Sequence, residues 1–353
     1  MLIASACVFL FLTLANFLFL PRLHLMARNS SDGTRVSLLI PVRNESASLL
    51  RTAATWRKIR HPNLEILVLD DGSSDNSKSI LRESGFEVIS GLPLPEGWTG
   101  KNWACHQLAE RASGEIFIFA DADVSTSEWA INRTLAAMAK YGAQALSALP
   151  FQELNTALEK IIIPLFLHVP ILTWVPVFLP SRFLPKSMAL GNGQWFAIRR
   201  DAYRKIGGHA EIRSSPIDDI SLAKRLRKES LNTILALAPQ DLSVRMYRSR
   251  SQLWEGFTKN LALIYGGSLR RLVFFALLFF VSQIAPLFHP VTAILWITSR
   301  LFCMACVQRN FISILGHPFG VVIFYILLFR SSIKLARGTA TWKGRKIAKR
   351  FKS

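Results

Sequence analysis

Two carboxylates one residue apart are the feature of this sequence that most directly suggests chemistry. Asp121 and Asp123 follow Phe117-Ile118-Phe119-Ala120, an apolar run that is typical of a buried strand. Residues i and i+2 of an extended chain point the same way, so both carboxylates can face one cation. Hard divalent ions prefer such oxygen ligands and keep phosphate partners. An Asx turn at the strand end explains the same pair without chemistry, so the pair alone decides nothing.

Two further polar clusters follow earlier predicted strands. Arg43-Asn44-Glu45 comes after the strand Val36–Pro41, and Asp70-Asp71 comes after the strand Leu64–Leu69. Strands alternate with helical stretches up to Ala120, which predicts an α/β domain with a mostly parallel sheet. Ligand sites in such sheets lie at the carboxyl ends of the strands. The three clusters therefore predict one acidic crevice, with Lys101 and Arg43 as its nearby cations.

The remaining elements of this part fit the same alternation. The predicted helices are a stretch up to Trp56, Asp75–Glu83 and Asn102–Ala112, and the other predicted strands are Phe86–Ile89 and Glu115–Ala120. No Gly-x-Gly-x-x-Gly follows the first strand, and the chain has no Gly-Lys-Ser/Thr loop. Dinucleotide-binding and P-loop sites are therefore excluded.

Two downstream motifs add polar groups to the predicted site. Gly191-Asn192-Gly193 allows a close backbone approach, and a plain turn between strands is the alternative. Asp218 and Asp219 precede an amphipathic helical run that starts at Ile220. Either aspartate can act as the helix N-cap, and either can act as a general base.

The charge distribution points to a membrane. The net charge is +20, but residues 32–255 hold 27 basic and all 23 acidic side chains. The 98 residues after Glu255 carry 14 Lys or Arg and no acid, and they include long apolar runs. Basic residues beside apolar segments are typical of membrane flanks, so no nucleic-acid partner is predicted.

The apolar segments predict transmembrane helices at both ends of the chain. Leu2–Leu20 is long enough for an N-terminal anchor, and three more stretches follow at Leu272–Phe288, Val291–Val307 and Ile312–Phe329. Because the basic tail (331–353) belongs on the cytoplasmic side, one of these three is expected to be re-entrant or interfacial, or the first two form a short hairpin and the third lies differently. The proline-broken segment Ile161–Pro185 is expected to lie at the membrane surface rather than to span it.

The order of the motifs resembles that of the family 2 glycosyltransferases with the GT-A, Rossmann-like fold. The resemblance covers residues 34–260 and rests on five motifs: Pro41-Val-Arg-Asn-Glu45, Asp70-Asp71-Gly-Ser-Ser-Asp75, Asp121-Ala-Asp123, Gly191-Asn-Gly193 and Asp218-Asp219. Two more segments resemble a membrane-bound branch that includes hopanoid-associated and carotenoid glycosyltransferases and is related to ceramide glucosyltransferases. They are Gly97-Trp-Thr-Gly-Lys-Asn-Trp103 and Thr341-Trp-Lys-Gly-Arg345.

The resemblance implies a role for each motif. Asp123, with Asp121, would hold Mg²⁺ or Mn²⁺ at the diphosphate of a nucleotide sugar, most simply a UDP-sugar. Asp219 would be the general base, with Asp218 as the second choice, and a single displacement would invert the anomeric centre. The expected donor-binding residues are Pro41, Arg43, Glu45, Asp70 or Asp71, Lys101, Asp121, Gly191, Asn192 and Gly193.

The resemblance also implies where the enzyme works and on what. A multi-pass protein of the cell (inner) membrane is expected, with a cytoplasmic catalytic domain and a lipid acceptor in the bilayer. Gln252-Leu-Trp-Glu255-Gly256 stands where processive members carry Gln-x-x-Arg-Trp, so a single transfer is expected instead of polymer extrusion. The alternatives are a haloacid-dehalogenase-like phosphatase and a non-catalytic membrane scaffold with a decayed transferase domain.

Overall fold

Two compact units make up the chain in a computed structural model, which describes residues 1–28, 33–179, 181–185, 188–189, 191–307, 310–339, 341–342 and 345–346. The sheet unit consists of Pro21–Gln152 and Leu179–Arg245. The helical unit consists of Met1–Leu20, Glu153–Phe178 and Met246–Ser353. This division differs from the expected domain 34–260, because both 153–178 and the residues after Arg245 belong to the helical unit.

The strands of the described residues form one large sheet and one short hairpin. They are β1 (Val36–Val42), β2 (Leu64–Asp70), β3 (Val88–Ser90), β4 (Ile116–Ala120), β5 (Val124–Thr126), β6 (Ala145–Gln152), β7 (Trp195–Arg199), β8 (Thr233–Val244), β9 (Thr341–Trp342) and β10 (Arg345–Lys346). The large sheet has the order β3-β2-β1-β4-β7-β6-β8-β5, and β9 pairs only with β10.

The first half of this sheet is parallel, as the sequence pattern predicts. β1 pairs in parallel with β2 on one side and with β4 on the other, so the carboxyl ends of all three strands lie at one edge. Successive residues of β1 face opposite sides, which places Leu38 in one buried cluster and Leu39 in another. Both faces of the sheet are therefore covered, and this explains the continuous apolar run of β4.

The second half of the sheet is mixed, and the sequence analysis predicts none of its strands. β7 runs antiparallel to both β4 and β6, whereas β6 and β8 are parallel. The short strand β5 pairs antiparallel with the end of β8. The reversal at β7 brings the residues just before Trp195 to the carboxyl end of β4, next to Asp121.

The helices are α1 (Leu2–Phe19), α2 (Ser46–Trp56), α3 (Ser77–Glu83), α4 (Gly100–Arg111), α5 (Ala130–Lys140), α6 (Ala157–Ile163), α7 (Val169–Trp174), α8 (Arg200–Lys205), α9 (Asp218–Lys228), α10 (Arg250–Ile264), α11 (Leu269–Gln283), α12 (Pro290–Val307), α13 (Ile312–Leu315) and α14 (His317–Arg337). Five helical stretches of the described residues are long and apolar enough to cross a membrane. They are Leu2–Phe19, Ala157–Trp174, Leu269–Phe288, Pro290–Val307 and His317–Arg337.

The helix Ala157–Trp174 corrects one sequence expectation. Prolines 164 and 170 were expected to interrupt this segment, but a π-helical turn over Pro164–His168 connects α6 to α7 without a break. Proline has no backbone N–H to donate, and the different hydrogen-bond spacing of a π turn lets the helix continue past it. Both flanks of the segment lead into the sheet unit, and a single crossing would separate two parts of one sheet. Its location at the membrane surface therefore stays a prediction.

A stacked aromatic pair and two glycines allow close packing in the helical unit. The rings of Phe279 and Phe324 are parallel, with centroids 3.7 Å apart. A Cβ at Gly316 would lie 2.3 Å from Ile161 Cδ1, and one at Gly320 would lie 2.8 Å from Ile161 Cγ2. The absence of side chains at these two positions therefore lets α14 approach α6.

A buried ion pair offers a test of the packing in the sheet unit. Arg133 Nη1 lies 2.5 Å from Asp241 Oδ1, and the Asp241 side chain is fully buried. We expect Asp241→Asn to lower the stability of the protein by about 3 kcal/mol, because the Arg133 charge would stay buried without a carboxylate. Thermal unfolding of the detergent-solubilised chain measures this loss.

Glu128→Gln is the matched control for that substitution. It breaks the Arg60–Glu128 pair, whose side chains are 67% and 42% exposed. Exposed pairs contribute at most about 1 kcal/mol, so little change in Tm is expected. Equal losses of Tm in the two variants would contradict a special role for the buried pair.

Candidate active site

The first polar group of the site lies at the carboxyl ends of β1 and β2. Asp70 ends β2 and is 6% exposed, and its carboxylate accepts hydrogen bonds from the Ser73 backbone N–H. Arg43 Nη1 donates to the backbone oxygen of Asp71 and to that of Gly72, and it lies 3.9 Å from Asp71 Oδ2. Pro41, in β1, is paired in register with Leu69. These predicted donor-binding residues therefore lie together at one sheet edge.

Hydrogen bonds tie the loop after β1 to the loop after β2. Asn44 adopts a left-handed conformation with a φ of 52°, and its side-chain oxygen accepts a bond of 2.8 Å from Ser74 N. Glu45 N donates to Ser77 Oγ over 2.8 Å. Sequence reasoning assigned no function to Asn44, Ser74 or Ser77, but their bonds hold the loop of Arg43 and Glu45 beside the second loop.

Asp75 is the charged centre of this link. Its carboxylate accepts hydrogen bonds from Ser46 N at the start of α2 and from Ser77 N, both at 3.0 Å. Burial alone would raise the pKa of Asp75, but the hydrogen bonds from Ser77 and Ser46 outweigh it and lower the pKa to about 2. The group is therefore ionised at neutral pH and keeps both loops in register.

Helix α2 fixes the segment that carries Asp121 and Asp123. Thr52 Oγ1 donates to Ala122 O over 2.9 Å, and Trp56 Nε1 donates to Val124 O over 3.0 Å. The backbone N–H of Asp121 donates to Gln194 O over 3.3 Å. These bonds hold the carboxyl end of β4 from both sides, so the two aspartates stand on a rigid backbone.

Lys101 connects Asp121, which follows β4, to Asp218, which starts α9. Its Nζ lies 2.8 Å from Asp121 Oδ1 and 3.0 Å from Asp218 Oδ2, with the lysine side chain 37% exposed. Both carboxylates raise the pKa of Lys101 against the opposing effect of burial, so the ammonium stays charged. Lys101 is therefore a paired cation between Asp121, at the end of β4, and Asp218, at the start of α9.

The first turn of α4 holds Lys101 in this position. Thr99 Oγ1 accepts from Asn102 N and caps the helix. The Asn102 side chain is fully buried, and its Nδ2 donates to Ile212 O over 2.8 Å and to Ser215 O over 2.9 Å. Asn102 thus ties the lysine-bearing helix to the segment that leads into α9, where Asp218 and Asp219 begin the helix.

Neither Asp218 nor Asp219 is the N-cap of α9, which is Ile217. The two oxygens of Asp219 accept from Gly193 N and from Ile220 N, each over 2.8 Å. The positive end of the helix dipole favours both carboxylates at this place. Both aspartates therefore lie in the first turn of α9, and Asp219 is oriented by two backbone donors.

The two aspartates differ in their affinity for a proton. Burial and the negative charge of Asp218 raise the pKa of Asp219 to about 6, against the opposing charge of Lys101. Burial would also raise the pKa of Asp218, but the adjacent ammonium of Lys101 lowers it. Asp218 is thus a permanent anion, and Asp219 is a carboxylate poised to accept a proton near neutral pH.

Glycines let the backbone of the 191–193 segment contact α9. A Cβ at Gly191 would lie 2.6 Å from the backbone oxygen of Asp219, and one at Gly193 would lie 3.0 Å from Lys101 Nζ. Between them, Asn192 N donates to Ser147 Oγ over 2.7 Å. Gly191–Gly193 therefore forms a wall of the crevice whose place depends on the absence of side chains.

Two side chains next to this wall are internal supports. Trp195 is fully buried and its Nε1 donates to Thr134 Oγ1 over 3.1 Å, so it is a core residue and not a stacking platform. Gln152 Nε2 donates to Gln194 Oε1 over 3.0 Å in a buried contact. Sequence reasoning missed this amide pair, because nothing in the strand pattern brings residues 152 and 194 together.

A buried thiol lies in α4, four residues after Lys101. Cys105 is 1% exposed, and burial raises the pKa of its thiol. The thiol therefore stays protonated at neutral pH and packs as a core residue.

Asp121 and Asp123 can hold a divalent cation only if a bound substrate supplies further oxygen ligands. Within the described ranges, no three His, Cys, Asp or Glu side chains gather closely enough to hold a metal ion. Two carboxylates with phosphate oxygens as the remaining donors are an ordinary set for Mg²⁺ or Mn²⁺. The Lys101 ammonium at Asp121 indicates that this corner already attracts a cation.

The structure describes only part of the predicted C-terminal motif. Lys343 and Gly344 of the Thr341–Arg345 motif lie outside the described residues, as does most of the basic tail.

Known proteins resemble both the sequence and the fold. Residues 37–207 match the model of glycosyl transferase family 2. A 4,4'-diaponeurosporenoate glycosyltransferase from Staphylococcus haemolyticus is 26% identical over 241 residues, which are 67% of this chain and 63% of the relative. One with the same name from Staphylococcus aureus is 24% identical over 262 residues, covering 71% and 67%. The match thus spans under two thirds of the length of the first relative.

A solved structure shares the fold. The mannosyltransferase PcManGT from Pyrobaculum calidifontis, in complex with GDP-Man and Mn²⁺, aligns with a TM-score of 0.54 at 15% identity. The alignment covers 95% of this chain and 98% of that one. These matches give no support to the haloacid-dehalogenase alternative. The matched region contains β1 to β7 and the crevice motifs up to Gly193. Residues 37–207 therefore resemble the family 2 glycosyltransferases, and the chain shares the fold of the solved mannosyltransferase.

Proposed function

We propose that this glycosyltransferase moves one sugar from a nucleoside diphosphate sugar to a membrane lipid, with inversion at the anomeric carbon. The observation that carries the proposal is the crevice in which Lys101 joins Asp121 to Asp218, with Asp219 next in the chain. In this proposal, Asp121 marks the corner for the leaving diphosphate, and Asp219 is the group that accepts a proton. Transfer by a single displacement needs the diphosphate corner and the proton acceptor close enough to act on the same bound substrates.

The donor is held by the strand-end residues. Asp70 or Asp71, with Glu45 and Pro41, face the position that the base and ribose occupy, and Arg43 adds a cation to that edge. At the other end, Asp121 and Asp123 hold Mg²⁺ or Mn²⁺, which stabilises charge on the leaving diphosphate when bound. UDP-sugars and GDP-mannose are the first donors to test.

Asp219 acts as the general base in this proposal. Gly193 N–H and Ile220 N–H bind its two oxygens and orient them. The carboxylate removes the proton of the acceptor hydroxyl as that oxygen attacks the anomeric carbon. Asp218, fixed by Lys101, keeps its charge and so favours proton uptake by its neighbour.

The lipid acceptor is supported by the rest of the chain. The helical unit contributes all five apolar helices that are long enough to span a membrane. The basic residues that flank them favour a cytoplasmic catalytic domain at the cell (inner) membrane. The two matched relatives are named for a carotenoid acid, which makes an apolar acceptor the natural class to test. A single transfer is proposed because the processive Gln-x-x-Arg-Trp signature is absent.

Replacing the proposed base gives the first test. We expect Asp219→Asn to lower kcat by about 10²–10⁴-fold, because the carboxamide cannot accept the proton. The donor KM should change much less. Release of UDP or GDP, measured with a panel of nucleotide sugars and a membrane lipid extract, gives both constants.

Asp201→Asn is the control for a first-turn aspartate, since Asp201 is the second residue of α8 as Asp219 is the second residue of α9. Folding of the Asp219→Asn variant is checked by its Tm at pH 7. The pKa of Asp219 is raised above its reference value of 3.8, so ionisation disfavours the folded state and Asn should not lower the Tm. A fully active Asp219→Asn enzyme, or a loss shared with Asp201→Asn, would sink the assignment.

Replacing a proposed metal ligand gives the second test. We expect Asp123→Ala to weaken Mn²⁺ binding in the presence of UDP by at least about tenfold, because one of two protein carboxylates is lost. Isothermal titration with Mn²⁺ measures this directly, and chelator-treated wild type should regain transfer when Mn²⁺ is added. Glu128→Gln, an exposed acid five residues away, should bind Mn²⁺ normally. Unchanged affinity in Asp123→Ala would refute the ligand role.

A further inference from the structure

The ammonium of Lys101 occupies a position at Asp121 that a divalent cation would also need. Its Nζ lies 2.8 Å from Asp121 Oδ1, a distance typical of a charge-assisted hydrogen bond. Asp121 is at the same time one of the two proposed metal ligands, and Asp123 is the other. Like charges repel, so the lysine head group and a divalent ion compete for the negative charge of this one carboxylate.

The protein alone offers a divalent ion few ligands at this corner. Among the described residues, no three His, Cys, Asp or Glu side chains gather closely enough to hold a metal ion. Mg²⁺ and Mn²⁺ take about six oxygen ligands, so two carboxylates leave most positions to water or to substrate oxygens. Lys101 already neutralises one of the two carboxylates. Without a substrate, the corner therefore has too little negative charge to bind such an ion tightly.

The contacts of Lys101 allow its head group to leave Asp121 while its helix stays in place. Thr99 caps α4, and the buried Asn102 side chain donates to backbone oxygens that precede α9, so the backbone beside Lys101 is fixed. The ammonium itself ends a flexible aliphatic chain, and the side chain is 37% exposed. Asp218 Oδ2, at 3.0 Å, is a second partner that retains the ammonium when Asp121 is released.

Space for this movement lies at Gly193. A Cβ at this position would lie 3.0 Å from Lys101 Nζ and 3.6 Å from Asp218 Oδ2. Because glycine has no side chain, the ammonium can turn between its partners without a steric clash. Lys101 thus combines a fixed backbone with a movable charge and a second anion that keeps this charge in the crevice.

We propose that Lys101 makes metal binding at Asp121 and Asp123 conditional on a bound diphosphate. Without a nucleotide, its ammonium neutralises Asp121 and so weakens the attraction of divalent ions. A diphosphate brings negative charge and oxygen ligands, so Lys101 turns from Asp121 to the phosphate oxygens, and both carboxylates then bind the ion. When the diphosphate leaves, Lys101 returns to Asp121 and the ion is released as well. This control rests on the proposed sugar transfer and adds to it the order in which nucleotide and ion bind.

Calorimetric titration of Mn²⁺ into the full detergent-solubilised chain, with and without UDP or GDP, tests this order. In the wild type, one of these nucleotides should raise the Mn²⁺ affinity by at least about tenfold. Lys101→Met keeps the aliphatic chain but removes the charge, so it should bind Mn²⁺ alone at least about tenfold more tightly than the wild type does. The gain that the nucleotide gives should be correspondingly smaller in this variant. Equal Mn²⁺ affinities of the two proteins without nucleotide would overturn the proposal.

Lys78→Met is the matched control for the loss of one positive charge. Lys78 lies in the same unit, and its Nζ donates to a neutral hydroxyl, Ser90 Oγ, over 2.8 Å. This variant should bind Mn²⁺ as the wild type does, because no proposed metal ligand is paired with Lys78. A gain equal to that of Lys101→Met would show an effect of net charge alone and would count against the role of Lys101.

Failure of the metal site itself has a different outcome. In that case the wild type binds no Mn²⁺ with either nucleotide, which refutes the site and its control by Lys101 together. If Lys101→Met does not fold, as its Tm would show, the wild type still decides. An Mn²⁺ affinity as high without nucleotide as with it would then refute the proposed order while it leaves the metal site in place.

Discussion

The ammonium group of Lys101 is the interaction on which the catalytic crevice depends. Asp121 and Asp218 come from a strand end and a helix start that are almost a hundred residues apart, and their like charges would repel each other. A single cation within 3.0 Å of both removes that repulsion. It also keeps Asp218 ionised, and the charge of Asp218 in turn raises the proton affinity of Asp219. One lysine therefore couples the diphosphate corner to the proposed base.

The fold provides the positions that this coupling needs. Parallel pairing brings the ends of β1, β2 and β4 to one edge, and the reversed strand β7 brings Gly191–Gly193 to the same edge. Asn102 then fixes the lysine-bearing helix to the residues before α9. Asn102 is fully buried, and such packed supports are what a site needs if its charges are to keep their spacing.

The parallel half of the fold and the strand-end position of the polar clusters could be predicted from the sequence, because strand–helix alternation and polar residues after apolar runs are local patterns. The antiparallel direction of β7 could not be predicted, since a strand buried on both faces has the same composition whichever way it runs. The supporting contacts of Asn102 and Thr52 join residues far apart in the chain, so no spacing reveals them. The unbroken helix over Pro164 depends on a π turn, which a proline count does not predict.

The pH dependence of kcat/KM tests the central coupling most directly, because kcat/KM reports the free enzyme. With a pKa of about 6, Asp219 is protonated below that pH and cannot act as a base, so the rate of the wild type should fall on the acid side of pH 6. Lys101→Met removes the charge that lowers this pKa, so the acid limb should move to higher pH. An acid limb that stays in place in Lys101→Met, or a wild-type rate that is flat between pH 5 and 7, would contradict the account.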